Sequence, residues 1–179
     1  MGGTRLLGWL VGAVEREPVD WSAVYEEELP RVYNFFRYRI GDRATAEDLT
    51  ALAFEKAWRA RRRYRRDRAA VSTWILAIAR NVAIDYFRQT RLEVPIDDSD
   101  AERETPETVA VRHSDLRRLG ALLGELPPRE RELLALKFGA GATNRAIAKL
   151  TSLSESNVGT ILHRTIGGLR AAWDAGGRR

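Results

Sequence analysis

Seven arginines stand among the ten residues from Arg59 to Arg68, in the run RARRRYRRDR. Arg80, Arg88 and Arg91 follow, so residues 59–91 hold ten arginines against two acids, Asp67 and Asp85, a local net of +8. Solubility alone needs no such density. A surface this positive attracts a polyanion by releasing its counterions. The second half, STWILAIARNVAIDYFRQTR from Ser72 to Arg91, spaces Trp74, Ile75, Ile78, Ala79, Val82, Ile84 and Phe87 mostly by three and four, which predicts a helix packed on one stripe. Arg80, Asn81, Asp85, Tyr86 and Arg88 are left for the other faces. An arginine-rich loop running into a helix that carries aromatics and an amide suits the backbone and unstacked bases of single-stranded nucleic acid. Tyr64, inside the arginine run, can stack on a base or anchor the loop. The alternative is a solvated charge run before an ordinary core helix.

A second set of candidates lies further along the chain. Thr143 can cap a short helix containing Ile147, Ala148 and Leu150. Thr151 to Leu153 make a tight turn, and Ser154 caps a longer helix with Val158, Ile161, Leu162 and Leu169 inside. Two helices so closely joined, the second polar at its start, predict a helix-turn-helix, although a plain helical hairpin can imitate the pattern. Glu155, Ser156, Asn157, Gly159, Thr160, His163 and Arg164 surround its exposed side. That geometry places side chains in a major groove. Arg145 and Arg164 suit phosphates, while Glu155, Ser156, Asn157, Thr160 and His163 compete for base edges.

The elements that must position these residues are all helical. Asp20 can cap a helix from Trp21, with Val24, Tyr25, Leu29, Val32, Phe35 and Phe36 at helical spacing and Pro30 kinking or perturbing it. Gly41 and Asp42 turn the chain into a second helix, about 44–61, with a stripe of Ala46, Leu49, Ala53, Ala57 and Ala60. Phe54 and Trp58 lie four apart on it; they either face a protein partner or belong to the core. Ser72 is the expected cap of the third helix, which should fade near Thr90. Residues 92–114, broken by Pro95 and Pro106, read as an acidic flexible linker. A second module then runs over 115–172. Its first helix ends before Pro127, the next opens at Pro128, and Gly139 and Gly141 end that one. The fold class expected is all-α: two small helical modules, 20–91 and 115–172, with a terminal segment 1–19 and a frayed tail 173–179.

Charge follows the same division. The 179 residues carry a net +5, but residues 20–90 sum to +4, 91–114 to −4 and 115–179 to +5. Two basic blocks flank an acidic spacer. With no cysteine and only His113 and His163, cysteine zinc sites are excluded and a bound metal is not expected. The absence of cysteine also fits a cytoplasmic protein. The apolar stretch LLGWLVGAV at 6–14 is too short to span a membrane. Glu15, Arg16, Glu17 and Pro18 follow it rather than a small-residue cleavage site, so it reads as a short helix packing on the protein or a partner more readily than as a secretory signal. Nothing resembles a phosphate-binding loop, an acid pair or a nucleophile triad, so neither an enzyme nor a cofactor is expected.

These motifs, in this order, carry a family resemblance. DRATAEDLTALAFEKAWRARRRY at 42–64 resembles region two of a bacterial RNA polymerase sigma factor, and STWILAIARNVAIDYFRQTR resembles the end of that region. LGELPPRERELLALKFGAGATNRAIAKLTSLSESNVGTILHRTIGGLR at 123–170 resembles region four. With only a short linker between them, the chain is similar to the small extracytoplasmic-function subfamily. The resemblance implies a non-enzymatic initiation factor whose partners are core RNA polymerase, promoter DNA and an anti-sigma factor. By motif match it places Asp48, Leu49, Phe54 and Trp58 on the polymerase-facing segment. Arg80, Asn81, Asp85, Tyr86 and Arg88 fall beside captured non-template DNA, and Tyr64 in the loop that receives a flipped base. Ser154 to Leu169 become the recognition helix on the minus-thirty-five element. A stand-alone helix-turn-helix regulator would account for 115–172 but leave the arginine-rich surface unused.

Two departures from the family pattern matter. Ala51 and Leu52 replace a commoner polar pair after Asp-Leu-Thr, so a contact made by a glutamate there is expected to be missing. Thr151 and Ser152 stand where leucine-glycine is usual. Serine adopts a left-handed turn less cheaply than glycine, so this turn is expected to be shifted or strained.

Overall fold

The computed structural model of the chain describes residues 19–93 and 108–176. Those residues form helices α1 (Trp21–Ile40), α2 (Arg43–Ala60), α3 (Val71–Glu93), α4 (Thr108–Gly124), α5 (Pro128–Leu134), α6 (Asn144–Thr151) and α7 (Glu155–Gly176). One 3-10 turn, Arg61–Arg63, extends α2, and a wide turn, Ala135–Gly139, extends α5. The apolar segment 6–14 and most of the acidic linker lie outside the described residues.

Local chemistry sets the helix ends in the first module. The Asp20 carboxylate accepts from the N–H groups of Ser22 and Ala23 at 3.0 and 3.2 Å, satisfying two donors that the first turn of α1 cannot. Gly41 closes α1 at φ +96°, and Asp42 caps α2 by accepting from Thr45 N–H at 2.6 Å. α1 continues through Pro30, which lies inside the helix. Pro30 is exposed, where water can take the carbonyl it leaves unbonded, while Glu28, Val32, Phe35 and Phe36 hold the helix on its buried side. Ser72 is not the cap of α3: the helix starts at Val71, and Trp74 N–H already bonds Ala70 O at 3.0 Å.

The second module reaches further in both directions than its sequence pattern. α4 begins at Thr108, because nothing after Pro106 interrupts a helix. α7 continues to Gly176, where Arg118 of α4 lies 4.3 Å over the Trp173 ring and donates to the Trp173 carbonyl. Thr143 and Ser154 cap α6 and α7 as expected, each accepting from a backbone N–H, of Ala146 and Asn157 respectively. Ser152 sits between them at φ 58°, ψ 29°, the left-handed conformation in which serine is strained.

The modules are not merely tethered. Leu133, Leu136 and Ile147 belong to the same buried cluster as Phe35, Phe36, Ile75 and Val82. The wide turn of α5 is closed by Ala140 N–H to Ala135 O at 2.9 Å and packs on α1. A Cβ added to Gly139 would stand 2.7 Å from Asn34 O, so only glycine lets the two backbones approach this closely. Arg31 Nε reaches across to Ala140 O at 2.9 Å. The sequence pattern shows each helix's apolar stripe but not which stripe is shared between modules.

Candidate nucleic-acid interface

The first candidate face runs along α2. Asp48, Ala51, Leu52, Glu55 and Trp58 recur at intervals of three and four, so they share one exposed stripe. Leu52 is 38% and Trp58 54% exposed, large values for apolar side chains. Arg61 sits over the Trp58 ring, its guanidinium carbon 3.7 Å from the centroid, and donates to Trp58 O at 2.7 Å. Phe54 is half-buried against Tyr25, ring centroids 4.7 Å apart. Leu49 does not share the stripe. It is 8% exposed and packs inward with Ala46, Ala53 and Ala57, so it supports the face rather than presenting a side chain.

The arginine loop and α3 form the second face. Tyr64 is built into an aromatic cluster, 6.0 Å from Trp21 and 5.2 Å from Trp74, and its hydroxyl donates to Ala69 O at 3.0 Å. The cluster holds the loop against α1 and α3 while Arg62, Arg63, Arg66 and Arg68 remain exposed. Arg65 is paired with Asp67 by contacts of 3.3 and 2.9 Å. Along α3, Asn81, Asp85 and Arg88 follow at intervals of four and three and line one side. Ile84 does not join the apolar stripe as its spacing predicts: the core is filled by Ile75, Ala79, Val82 and Ala83, and Ile84 is left exposed. Asp85 accepts from Arg88 at 3.2 Å and lies 3.7 Å from Lys56 on α2, so it fixes neighbouring cations. Tyr86 is half-buried against Phe87, ring centroids 5.5 Å apart.

Arg80 is placed differently. Its Nε lies 2.9 Å from Glu132 Oε1 of α5, a close ion pair without a well-directed hydrogen bond, and its side chain is 24% exposed. Buried Arg39 is near the same carboxylate. Burial pulls its guanidinium below the ordinary arginine range, Glu132 opposes that fall, and Arg39 also lies 4.6 Å from the Phe87 centroid. Arg39, Glu132 and Gly139 were not among the sequence candidates. Glycine at position 139 was a visible signal, but it reads equally well as a helix stop.

The third face is the start of α7. Val158, Leu162 and Thr165 point into the core, which leaves Glu155, Ser156, Asn157, Thr160, His163 and Arg164 exposed on the outer side. Ser154 is occupied as the cap, and Thr160 Oγ1 donates to Ser156 O at 3.1 Å. Arg164 is held loosely, 4.0 Å from Glu130. Arg145 is exposed on α6, close to the turn. The structure thus brings the predicted duplex residues together on a helix-turn-helix. Among the described residues, no cluster of three potential ligands could hold a metal, and no helix is long and apolar enough to cross a membrane.

Comparison with known proteins matches both modules. Residues 24–93 match sigma-70 region 2 and residues 116–166 match sigma-70 region 4. The chain is 28% identical over 168 residues to the ECF RNA polymerase sigma factor BldN of Streptomyces coelicolor, covering 90% of this chain and 63% of that protein. It is also 28% identical over 159 residues to the sigma factor SigX of Bacillus subtilis, covering 84% and 81%. The sigma factor RpoE, solved in complex with the anti-sigma factor NepR from Bartonella quintana, has the same fold, with TM-score 0.72, 19% identity, and 87% of this chain and 97% of that chain covered. CnrH, solved with the cytosolic domain of CnrY, matches at TM-score 0.61 and 21% identity over 87% and 86%. With regions 2 and 4 in order and relatives of one kind, the chain belongs to the extracytoplasmic-function family of RNA polymerase sigma factors, proteins that direct transcription without catalysing a reaction.

Proposed function

We propose that this sigma factor acts in the cytoplasm, binds core RNA polymerase through the α2 stripe, recognises both promoter elements and helps open promoter DNA. The carrying observation is the division of α7. Its apolar side is locked in the core while its polar side stands free at the end of a helix-turn-helix. A rigid helix displayed in this way can enter the major groove of the upstream element. Arg145 and Arg164 hold phosphates, and Glu155, Ser156, Asn157, Thr160 and His163 supply the base-facing side, with Ser154 fixing the helix start.

Opening falls to the first module. The exposed arginines of the 61–68 loop and Arg88 draw the displaced strand along α3, where Asn81 offers both a donor and an acceptor to a base edge. Tyr64 shapes the loop that receives an extruded base, Asp85 holds Arg88 and Lys56 in register, and Tyr86, packed beside Phe87, lies next to the strand's path. Arg80 joins this surface once Glu132 releases it. The polymerase supplies the metal and the phosphoryl chemistry.

On α2, Asp48, Leu52 and Trp58 carry the polymerase contact, with Phe54 and Leu49 beneath. Leu52 gives this face an apolar contact where relatives commonly use a polar one. The anti-sigma complex of RpoE supports a similar inhibitory partner here. Asp48→Ala/Trp58→Ala tests the polymerase contact. Core binding should weaken at least tenfold while circular dichroism shows a folded chain. Unchanged affinity in the folded variant removes the assignment.

A further inference from the structure

The seam between the two modules gathers three guanidiniums around one carboxylate. Buried Glu132 on α5 meets Arg80 of α3 at 2.9 Å. Buried Arg39 of α1 lies near enough to Glu132, Arg80 and Arg131 for each of their charges to act on it. The Nε atoms of Arg39, Arg80 and Arg131 are all buried, and none makes a hydrogen bond. A buried cationic nitrogen without such a partner is costly, and folded proteins leave few of them. Apolar packing closes the same seam. Leu133 and Leu136 share a core with Phe35 and Phe36, Gly139 lies against Asn34 with no room for a Cβ, and Arg31 Nε donates to Ala140 O at 2.9 Å. Packing favours docking while charge opposes it, so a ligand that prefers one arrangement can shift the balance.

The ligand that fits the excess charge is a chain of phosphates. A guanidinium pairs with phosphate oxygens as readily as with a carboxylate. Arg80, Ile84 and Arg88 follow at intervals of four, so Arg80 continues the stripe on which Arg88 stands exposed. A strand running along α3 from Arg88 reaches Arg80 and there meets α5, and α6 packs on α3 as well. The strand and the docked module claim the same edge.

We propose that the docked second module is an autoinhibitory latch, in which α5 masks the Arg80 edge of α3 until a single strand displaces it. The latch rests on the reading of α3 as the strand's path. Because strand and module exclude each other, capture of the strand drives the modules apart, and separating the modules raises affinity for the strand. The docked fraction lowers the apparent strand affinity in proportion.

The chain has no cysteine, so spin labels on Glu27→Cys of α1 and Ala171→Cys of α7 report the spacing of the modules in the full chain. Without DNA, the labelled pair should give one narrow distance. A saturating short single-stranded DNA oligonucleotide should lengthen and broaden it. Two further variants open the seam by different routes. Glu132→Gln removes the shared carboxylate, and Gly139→Ala sets a Cβ 2.7 Å from Asn34 O without changing any charge. In folded chains, each should lengthen the distance without DNA and bind the oligonucleotide about three- to tenfold more tightly than the parent. Adding Arg80→Ala should cancel most of both gains. Separated modules with no gain in strand affinity overturn the latch. So does a parent chain that holds its unbound distance with the strand bound, a result that needs neither seam variant to fold. Arg88→Ala keeps that failure apart from failure of the strand path. If Arg88→Ala weakens strand binding at least threefold while the bound parent stays docked, the path along α3 stands and the latch falls. If Arg88→Ala leaves strand binding unchanged, the path is wrong and the latch falls with it.

Discussion

On α7, Glu155, Ser156, Asn157, His163 and Arg164 stand exposed along a helix whose other side is locked in the core. On the first module, the corresponding candidates already have work to do. Tyr64 packs edge-on against Trp21 and tilted against Trp74, Arg80 faces Glu132, and Asp85 lies between Arg88 and Lys56. The difference follows from what each face must meet. A duplex presents a fixed groove, so its reader is best preformed and rigid. A single strand appears only during opening, so its surface can be partly held by internal partners until then. In the proposed function, the exposed loop arginines provide initial attraction, and the residues assigned to meet bases are kept ordered by the protein itself.

The largest expected effect separates structural from stacking roles for Tyr64. Tyr64→Ala should destabilise the first module by about 3 kcal/mol in denaturant unfolding, because it empties an aromatic cluster. Tyr64→Phe should lose only about 1 kcal/mol with the hydrogen bond to Ala69. Full stability in Tyr64→Ala, with promoter melting alone impaired, would show Tyr64 to be a free stacking platform and erase the contrast with α7.

On the other side of the comparison, Asn157→Ala should change base preference at one position of the upstream duplex by about 1–3 kcal/mol while leaving nonspecific affinity nearly unchanged. A panel of duplexes measured at one salt concentration checks this. Uniform weakening across the panel means that Asn157 reads no base.

Smaller effects test how firmly each module holds its helices. Ser152→Gly should stabilise the second module by about 1 kcal/mol, because glycine takes the left-handed turn without the Cβ conflict. No gain in the melting temperature would mean that the turn has relaxed around the serine. In the first module, hydrogen bonds from Thr45 hold the Asp42 carboxyl below the usual aspartate range. The ionised cap therefore contributes stability above the unfolded-state pKa, and this is lost as pH falls through the lower folded value. An acid titration of stability should show this small step in the parent and not in Asp42→Asn.

Much of this architecture was legible from local chemistry. Asp20, Thr143 and Ser154 each advertise a helix start, and a serine in place of glycine at 152 announces the strained turn that the structure contains. The exposed side of α7 followed from the spacing of Val158 and Leu162. What lay hidden was long-range. Gly139 reads as a helix stop, and its close approach to Asn34 depends on a packing 105 residues away in sequence. Arg80 reads as a free cation because its partner, Glu132, lies in another module. Ser72 looked like a cap, but Ala70 already supplies the first carbonyl of α3. Side chains with two possible uses, such as Leu49 and Tyr64, are assigned only when their neighbours are known.

The most direct test of the central claim is strand opening reconstituted from purified parts. A promoter carrying a fluorescent base in its upstream melted element is mixed with the chain alone, core polymerase alone, or both. Opening should require both, should fall with Asn81→Ala in a folded chain, and should be lost with Asp48→Ala/Trp58→Ala. Tight, sequence-specific duplex binding by the chain alone, with no opening when core polymerase is added, would contradict the account.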